Sequence, residues 1–194
     1  MKGHYFLVAV ALLCLQQTSA QVYVDQFDND DPAFTGGSAS YTFGEANDEW
    51  TITANNTGAF DVFTYELHDP AQGMSIDVDA SGNNKVFVRA KASAVGTQLR
   101  LDLQDSTGFA TSLPGLTKTL STTYTVLEFD FTGVYQDGGY GGTPCMSGPC
   151  QVDSSVISQL LFFADPGAGG FTGTIVIDYV AFGQEPSTIP LLNR

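Results

Sequence analysis

From Gln98 to Gln104 the chain reads Gln-Leu-Arg-Leu-Asp-Leu-Gln, which sets Arg100, Asp102 and Gln104 at every second position with leucines between them. A period of two is that of an extended strand, so the three polar side chains share one face and the leucines the other. A guanidinium, a carboxylate and an amide in one row supply donors and acceptors at fixed spacing, which suits a ligand rich in hydroxyls. Arg89, Lys91, Glu128, Asp130 and Gln159 carry the same kinds of group, and Tyr124 and Phe163 are rings on which the apolar face of a sugar could stack. Presented together by one sheet, these residues make a carbohydrate-binding face. The same residues also suit an ordinary solvated face laced with cross-strand Arg–Asp pairs.

Catalytic patterns are weak by comparison. Glu66-Leu67-His68-Asp69-Pro70 holds two carboxylates and a histidine but lacks the spacing of a glycosidase acid and nucleophile, and it breaks at Pro70. No Gly-x-Ser-x-Gly elbow, phosphate-cradling loop or dinucleotide fingerprint occurs. Asp28-Asn29-Asp30-Asp31-Pro32 opens like a calcium loop of the EF-hand type, but a proline stands at a ligand position and Ala39 where a closing glutamate belongs. The chain reads as a protein that binds and does not catalyse.

The elements that must position these groups are strands. Gly, Ser, Thr and Asp-rich turns separate short β-branched and aromatic runs, with no sustained helical period. Strands are expected over Val22–Phe27, Glu49–Ala54, Asp61–Leu67, Met74–Asp79, Lys85–Lys91, Gln98–Gln104, Thr123–Phe131, Ile157–Ala164 and Gly173–Phe182. That pattern predicts an all-β fold, a two-sheet antiparallel β-sandwich. Leu127, Phe129 and Phe131 alternate with Glu128 and Asp130, giving that strand one buried and one wetted face. The last strand is apolar on both faces except for Asp178, so it belongs in the middle of a sheet, and its acid needs a partner. Trp50, the only tryptophan, is expected in the core.

Residues 1–20 read as a secretory signal peptide, with Lys2, an apolar run from Tyr5 to Leu15 and the small-residue site Thr18-Ser19-Ala20. The apolar run is shorter than the roughly 20 residues that span a bilayer, so membrane insertion is not expected. The sandwich domain then covers 21–184, with 185–194 a flexible tail. Of three cysteines, Cys145 and Cys150 fall in the exported part, an even pair that predicts one disulfide in a short loop. The net charge of −14, spread along the chain in ones and twos, repels nucleic acid and anionic membranes and attracts divalent cations. Asn55-Asn56-Thr57 is a formal glycosylation sequon.

Three segments in order carry a family resemblance. The opening Val24-Asp25-Gln26-Phe27-Asp28, the middle Lys85–Lys91 run followed by Gln98–Leu103, and the closing Gly173–Gly183 resemble galactose-binding-like jelly rolls, the fold of many carbohydrate-binding modules. The loop from Tyr135 through Tyr140 to Cys145 and Cys150 resembles one of secreted Bacteroidetes proteins. The resemblance implies a jelly-roll sandwich and a polysaccharide or glycan partner. It also implies a structural calcium tying the first strand to the last, for which Asp25, Asp28 and Asp178 are the matching positions; capping of Asp178 by backbone amides or water is the other reading.

Two functions follow as expectations. One is a non-catalytic carbohydrate-binding or adhesive module, secreted and acting at the cell surface or in the extracellular matrix. The other is a structural subunit that self-assembles into an extracellular fibre as a homo-polymer, with the first mature strand, Gln21–Phe27, donated to a neighbour's open edge. The bland alternative is that this strand pairs within its own domain.

Overall fold

The protein is described by a computed structural model for residues 23–27, 34–69, 71–111, 116–133 and 152–186. Among these residues there is no α-helix. The strands in chain order are β1 (Tyr23–Asp25), β2 (Thr35–Gly37), β3 (Tyr41–Glu45), β4 (Trp50–Ala54), β5 (Phe63–Glu66), β6 (His68–Asp69), β7 (Met74–Ser75), β8 (Lys85–Ala92), β9 (Gln98–Asp105), β10 (Thr117–Thr119), β11 (Thr125–Asp130), β12 (Ile157–Ala164) and β13 (Gly173–Phe182). Sheet I runs β11-β8-β13-β4-β3, with β1 also on β13; sheet II runs β10-β9-β12-β5-β2; β6 and β7 form a small hairpin. Every pairing is antiparallel, and the expected two-sheet jelly-roll sandwich is what forms.

Alternation decides which face of each strand is buried. Val86, Val88, Ala90 and Ala92 of β8 and Leu99, Leu101 and Leu103 of β9 all point into one core shared by the two sheets. At its centre Trp50 is 0% exposed, as expected, and packs against Phe27, Phe43, Phe63, Tyr65 and Phe162 with ring centroids 5.3–6.0 Å away. β13 lies between β8 and β4, in the middle of sheet I as its composition demands.

A bulge changes the parity of β13. Ile175 and Ile177 point inward, and so do Val180 and Phe182; the extra residue between Ile177 and Tyr179, where the register with β8 slips, is Asp178. After the slip, Tyr179 and Ala181 face outward and pack with Phe87 and Val24. β12 repeats the device: its register slips between Ile157 and Gln159.

The strand expected over Met74–Asp79 is not continuous. Only Met74 and Ser75 pair, with β6, and Val78 makes an isolated bridge to Ile157. β2, β3, β6 and β10 are strands that periodicity did not announce.

Candidate functional site

On the outer face of sheet II the register brings polar side chains into rows. Gln159 of β12 stands between Glu66 of β5 and Gln104 of β9. One step along, Leu161 stands between Thr64 and Asp102, and Gly36 of β2 lies beyond Thr64. The third row sets Phe163 opposite Arg100, with Val62 packed against Phe163, Leu161 and Ala110. Facing residues in antiparallel strands point the same way, so the rows are roughly 6.6 Å apart along the strands and about 4.8 Å between strands. The result is a centre column of Gln159, Leu161 and Phe163, apolar in two of its three rows and flanked by hydrogen-bonding groups.

Arg100 and Asp102 are the unusual pair. Nη2 of Arg100 lies 2.5 Å from Oδ2 of Asp102, and the guanidinium sits over the Phe163 ring, 5.0 Å from its centroid. The Arg100 side chain is 13% exposed and that of Asp102 0%, so the face expected to be wetted here is dry. Thr111 builds the pair's other wall: its hydroxyl oxygen accepts from Leu103 N at 2.9 Å and stands 3.4 Å from Asp102 Oδ1. Nε of Arg100 is buried with no hydrogen-bond partner among the described residues. A buried ion pair adds little net stability over apolar packing, and an unmet buried donor costs free energy. The part of the guanidinium a ligand oxygen could reach is the small exposed remainder of the 13% exposed side chain, not Nε.

The remaining expected site residues lie on the other side of the molecule. Arg89, Lys91, Tyr124, Glu128 and Asp130 belong to the outer face of sheet I, because β8 and β11 are in that sheet. The single face expected to carry them with Arg100, Asp102, Gln104, Gln159 and Phe163 is therefore two faces, separated by the core. Lys85, Arg89 and Lys91 of sheet I are each matched to a carboxylate. Arg89 pairs with Asp178, Lys91 with Glu49 at 3.9 Å and Lys85 with Glu128 at 2.5 Å. Lys91 and Arg89 also stand 4.1 and 4.5 Å from the Tyr124 ring centroid. Burial, followed by the Glu49 and Asp178 carboxylates, pushes the Tyr124 hydroxyl well above the usual tyrosine range.

Of the carboxylates expected to share a calcium, Asp25 and Asp178 are described, and each has protein partners. Asp25 pairs in register with the core residue Val180 and points inward, where it accepts from Phe27 N at 2.8 Å and from the Tyr65 hydroxyl, with Tyr23 Oη at 3.4 Å and His68 Nε2 at 3.5 Å. Asp178 occupies the bulge and takes Arg89, whose neighbours Val88 and Ala90 face inward while Arg89 itself faces out. Asp28, Cys145, Cys150 and the Tyr135–Tyr140 loop lie outside the described residues. Among the described residues no three His, Cys, Asp or Glu side chains group as metal ligands. Arg89 is one partner of the buried Asp178 carboxylate. No described helix is long and apolar enough to cross a membrane.

No protein-family model matches the chain, and no curated protein matches its sequence. Solved structures do match in shape. The family 11 carbohydrate-binding module of the cellulosomal cellulase Lic26A-Cel5E of Clostridium thermocellum superposes with a TM-score of 0.54 at 14% identity, over 86% of this chain and 96% of that one. The apo CBM1 of BiXyn10A gives 0.51 at 14% identity, over 85% and 99%. The agarase AgWH50C gives 0.57 at 13% identity over 86% of this chain, which spans only 26% of the enzyme. At these identities the likeness is one of fold, and that fold is the β-sandwich of carbohydrate-binding modules.

Proposed function

We propose that this chain is a non-catalytic carbohydrate-binding module, exported from the cell, that holds a polysaccharide across the outer face of sheet II. The observation that carries this reading is the Arg100–Asp102 pair, held outward on the sheet II face in the same rows as Gln104, Gln159, Glu66 and Thr64. Gln104 and Gln159 add amides in the next row, and Glu66 and Thr64 add acceptors from β5. Amides and hydroxyls both donate and accept, as sugar hydroxyls do. Asp102 is held as the partner of Arg100 and is not free to act as an acid or a nucleophile. The outer face of sheet I, with its cations matched to carboxylates, has less to offer a ligand.

Affinity electrophoresis against a panel of soluble polysaccharides tests the reading. Wild type is expected to be retarded by at least one, and the double variant Arg100→Ala/Asp102→Ala to run unretarded. The double variant is chosen because Arg100→Ala alone strands a fully buried carboxylate, at a cost of about 3–5 kcal/mol, whereas removing both charges avoids that. Its circular dichroism and melting curve report that it is folded. No retardation of wild type across a broad panel, or unaltered retardation of the double variant, would overturn the assignment.

A further inference from the structure

The two ends of the sheet II face differ in charge. At one end Arg100 and Asp102 match each other. At the other, Glu66 of β5 stands in register with Gln159 and, through it, with Gln104. Glu66 also lines an open pocket of about 340 Å³, together with Ser75, Ile76, Asp77, Ser106 and Ser158.

Neither Glu66 nor Asp77 has a cation within ion-pair distance among the described residues. Lys85, Arg89 and Lys91 are paired on sheet I, and Lys118 interacts with Asp130 of β11. Arg100 stands two rows away, about 13 Å along the strands, which is beyond the screening length of about 8 Å at physiological salt. Donors at this end are spent as well. Nε2 of Gln104 donates to Gly108 O at 3.2 Å, and the Ser158 hydroxyl donates to Gln104 O at 3.4 Å. Ser158 is left with lone pairs only, Gln104 with its amide oxygen and one N–H, and the carboxylates can only accept.

A surplus of acceptors around two uncompensated carboxylates prefers one kind of ligand group. An ammonium brings three donors and the opposite charge; a hydroxyl brings one donor and no charge; a carboxylate or sulfate brings no donor and is repelled. We infer that Glu66, backed by Asp77, is the charge selector of the glycan site: it favours a glycan that carries amines and turns away one that carries carboxylates or sulfates. The inference rests on the glycan-binding reading of sheet II. The net charge of −14 pulls in the same direction from afar, but that field is screened at physiological salt, and a contact at Glu66 is screened much less.

The test compares three forms of the soluble polysaccharide that retards wild type: uncharged, aminoethylated and carboxymethylated, the last two to the same low degree. An amino polysaccharide is made uncharged by N-acetylation. Affinities are measured by calorimetry at physiological salt. Wild type is expected to bind the aminoethylated form about tenfold tighter than the uncharged one and the carboxymethylated form about tenfold weaker, one close charge contact being of that size. Glu66→Gln removes the charge and is expected to shrink both ratios to about threefold or less. Glu185→Gln, which removes an exposed carboxylate just after β13 of sheet I, is expected to leave both ratios as in wild type. Both variants keep the size of the side chain they replace and are expected to melt with wild type. Equal affinity of wild type for the three forms, unaltered ratios in Glu66→Gln, or equal shifts in Glu66→Gln and Glu185→Gln would overturn the selector and leave the glycan site standing. Failure of wild type to bind any polysaccharide would remove both.

Discussion

Among single residues, the buried tyrosines help to join the sheets. Tyr65 of β5 in sheet II donates its hydroxyl to Asp25 of β1 in sheet I, and the Tyr23 hydroxyl lies 3.4 Å from the same carboxylate. Tyr41 of β3 in sheet I packs its ring 5.1 Å from Phe63 of β5 in sheet II. Burial first, and the Asp25 and Asp61 carboxylates with it, pushes all three hydroxyls upward, that of Tyr41 to about 12 and the other two beyond. A tyrosine raised in the folded state holds its proton where the unfolded chain has lost it. Stability from these groups is therefore fully present below the ordinary value of 10.0 and is lost as pH rises toward 12 and above. Urea midpoints measured between pH 8 and pH 12 are expected to be flat at first and then to fall. A midpoint unchanged at pH 12 would mean that these hydroxyls ionise in place without cost.

At the scale of elements, loops settle how the strand ends are presented. Gly169 has φ +70°, and a Cβ there would stand 3.0 Å from Ala59 N and 3.2 Å from Thr57 O, both backbone atoms of the loop that carries Phe60. Gly167 has φ +85° but open space around its Cβ position. Gly167→Ala is thus expected to cost only left-handed backbone strain, about 1–2 kcal/mol, and Gly169→Ala more, because one loop must also move off the other. Equal urea midpoints for the two variants would show that the close approach adds nothing. The long strands could be read from the sequence because alternation is strong in Lys85–Ala92, Gln98–Asp105 and Thr125–Asp130. Thr35–Gly37 and Thr117–Thr119 could not, being three-residue edge strands with no buried stripe. The row of Arg100, Asp102 and Gln104 was legible for the same reason as its strand. Its partners were not: which sheet each strand joins is set by long-range pairing, so Arg89 and Arg100 look equivalent in sequence and stand on opposite faces. The inward-facing repeats that slip, Ile177 to Val180 and Ile157 to Leu160, were the trace of two bulges, and Asp178 marked one of them.

Whether whole molecules join depends on edges and charge. β1 is short, but it is committed to its own chain: Tyr23, Val24 and Asp25 pair with Phe182, Ala181 and Val180, the Tyr23 ring packs edge-on against Phe182 at 6.1 Å, and Asp25 holds a buried hydrogen-bond network. Donating this strand to a neighbour would first strip those contacts from the donor and leave the hydroxyl of Tyr65 buried without its acceptor, a cost that a second copy repays only by closing the same contacts elsewhere. β11, one of the two terminal strands of sheet I, carries the exposed charges Glu128 and Asp130, and charges on a terminal strand resist pairing. With a net charge of −14, two copies also repel at long range. The purified chain without residues 1–20 is therefore expected to remain a monodisperse monomer in light scattering at high concentration, and to stay so when salt is raised enough to screen the repulsion, because the pairing cost is not electrostatic. Deleting Gln21–Phe27 is expected to lower the melting temperature sharply without producing a species that takes up a synthetic peptide of that sequence. Large, dissociation-resistant assemblies of the undeleted chain, together with peptide uptake by the truncated one, would instead establish strand exchange and make this sandwich the subunit of a fibre.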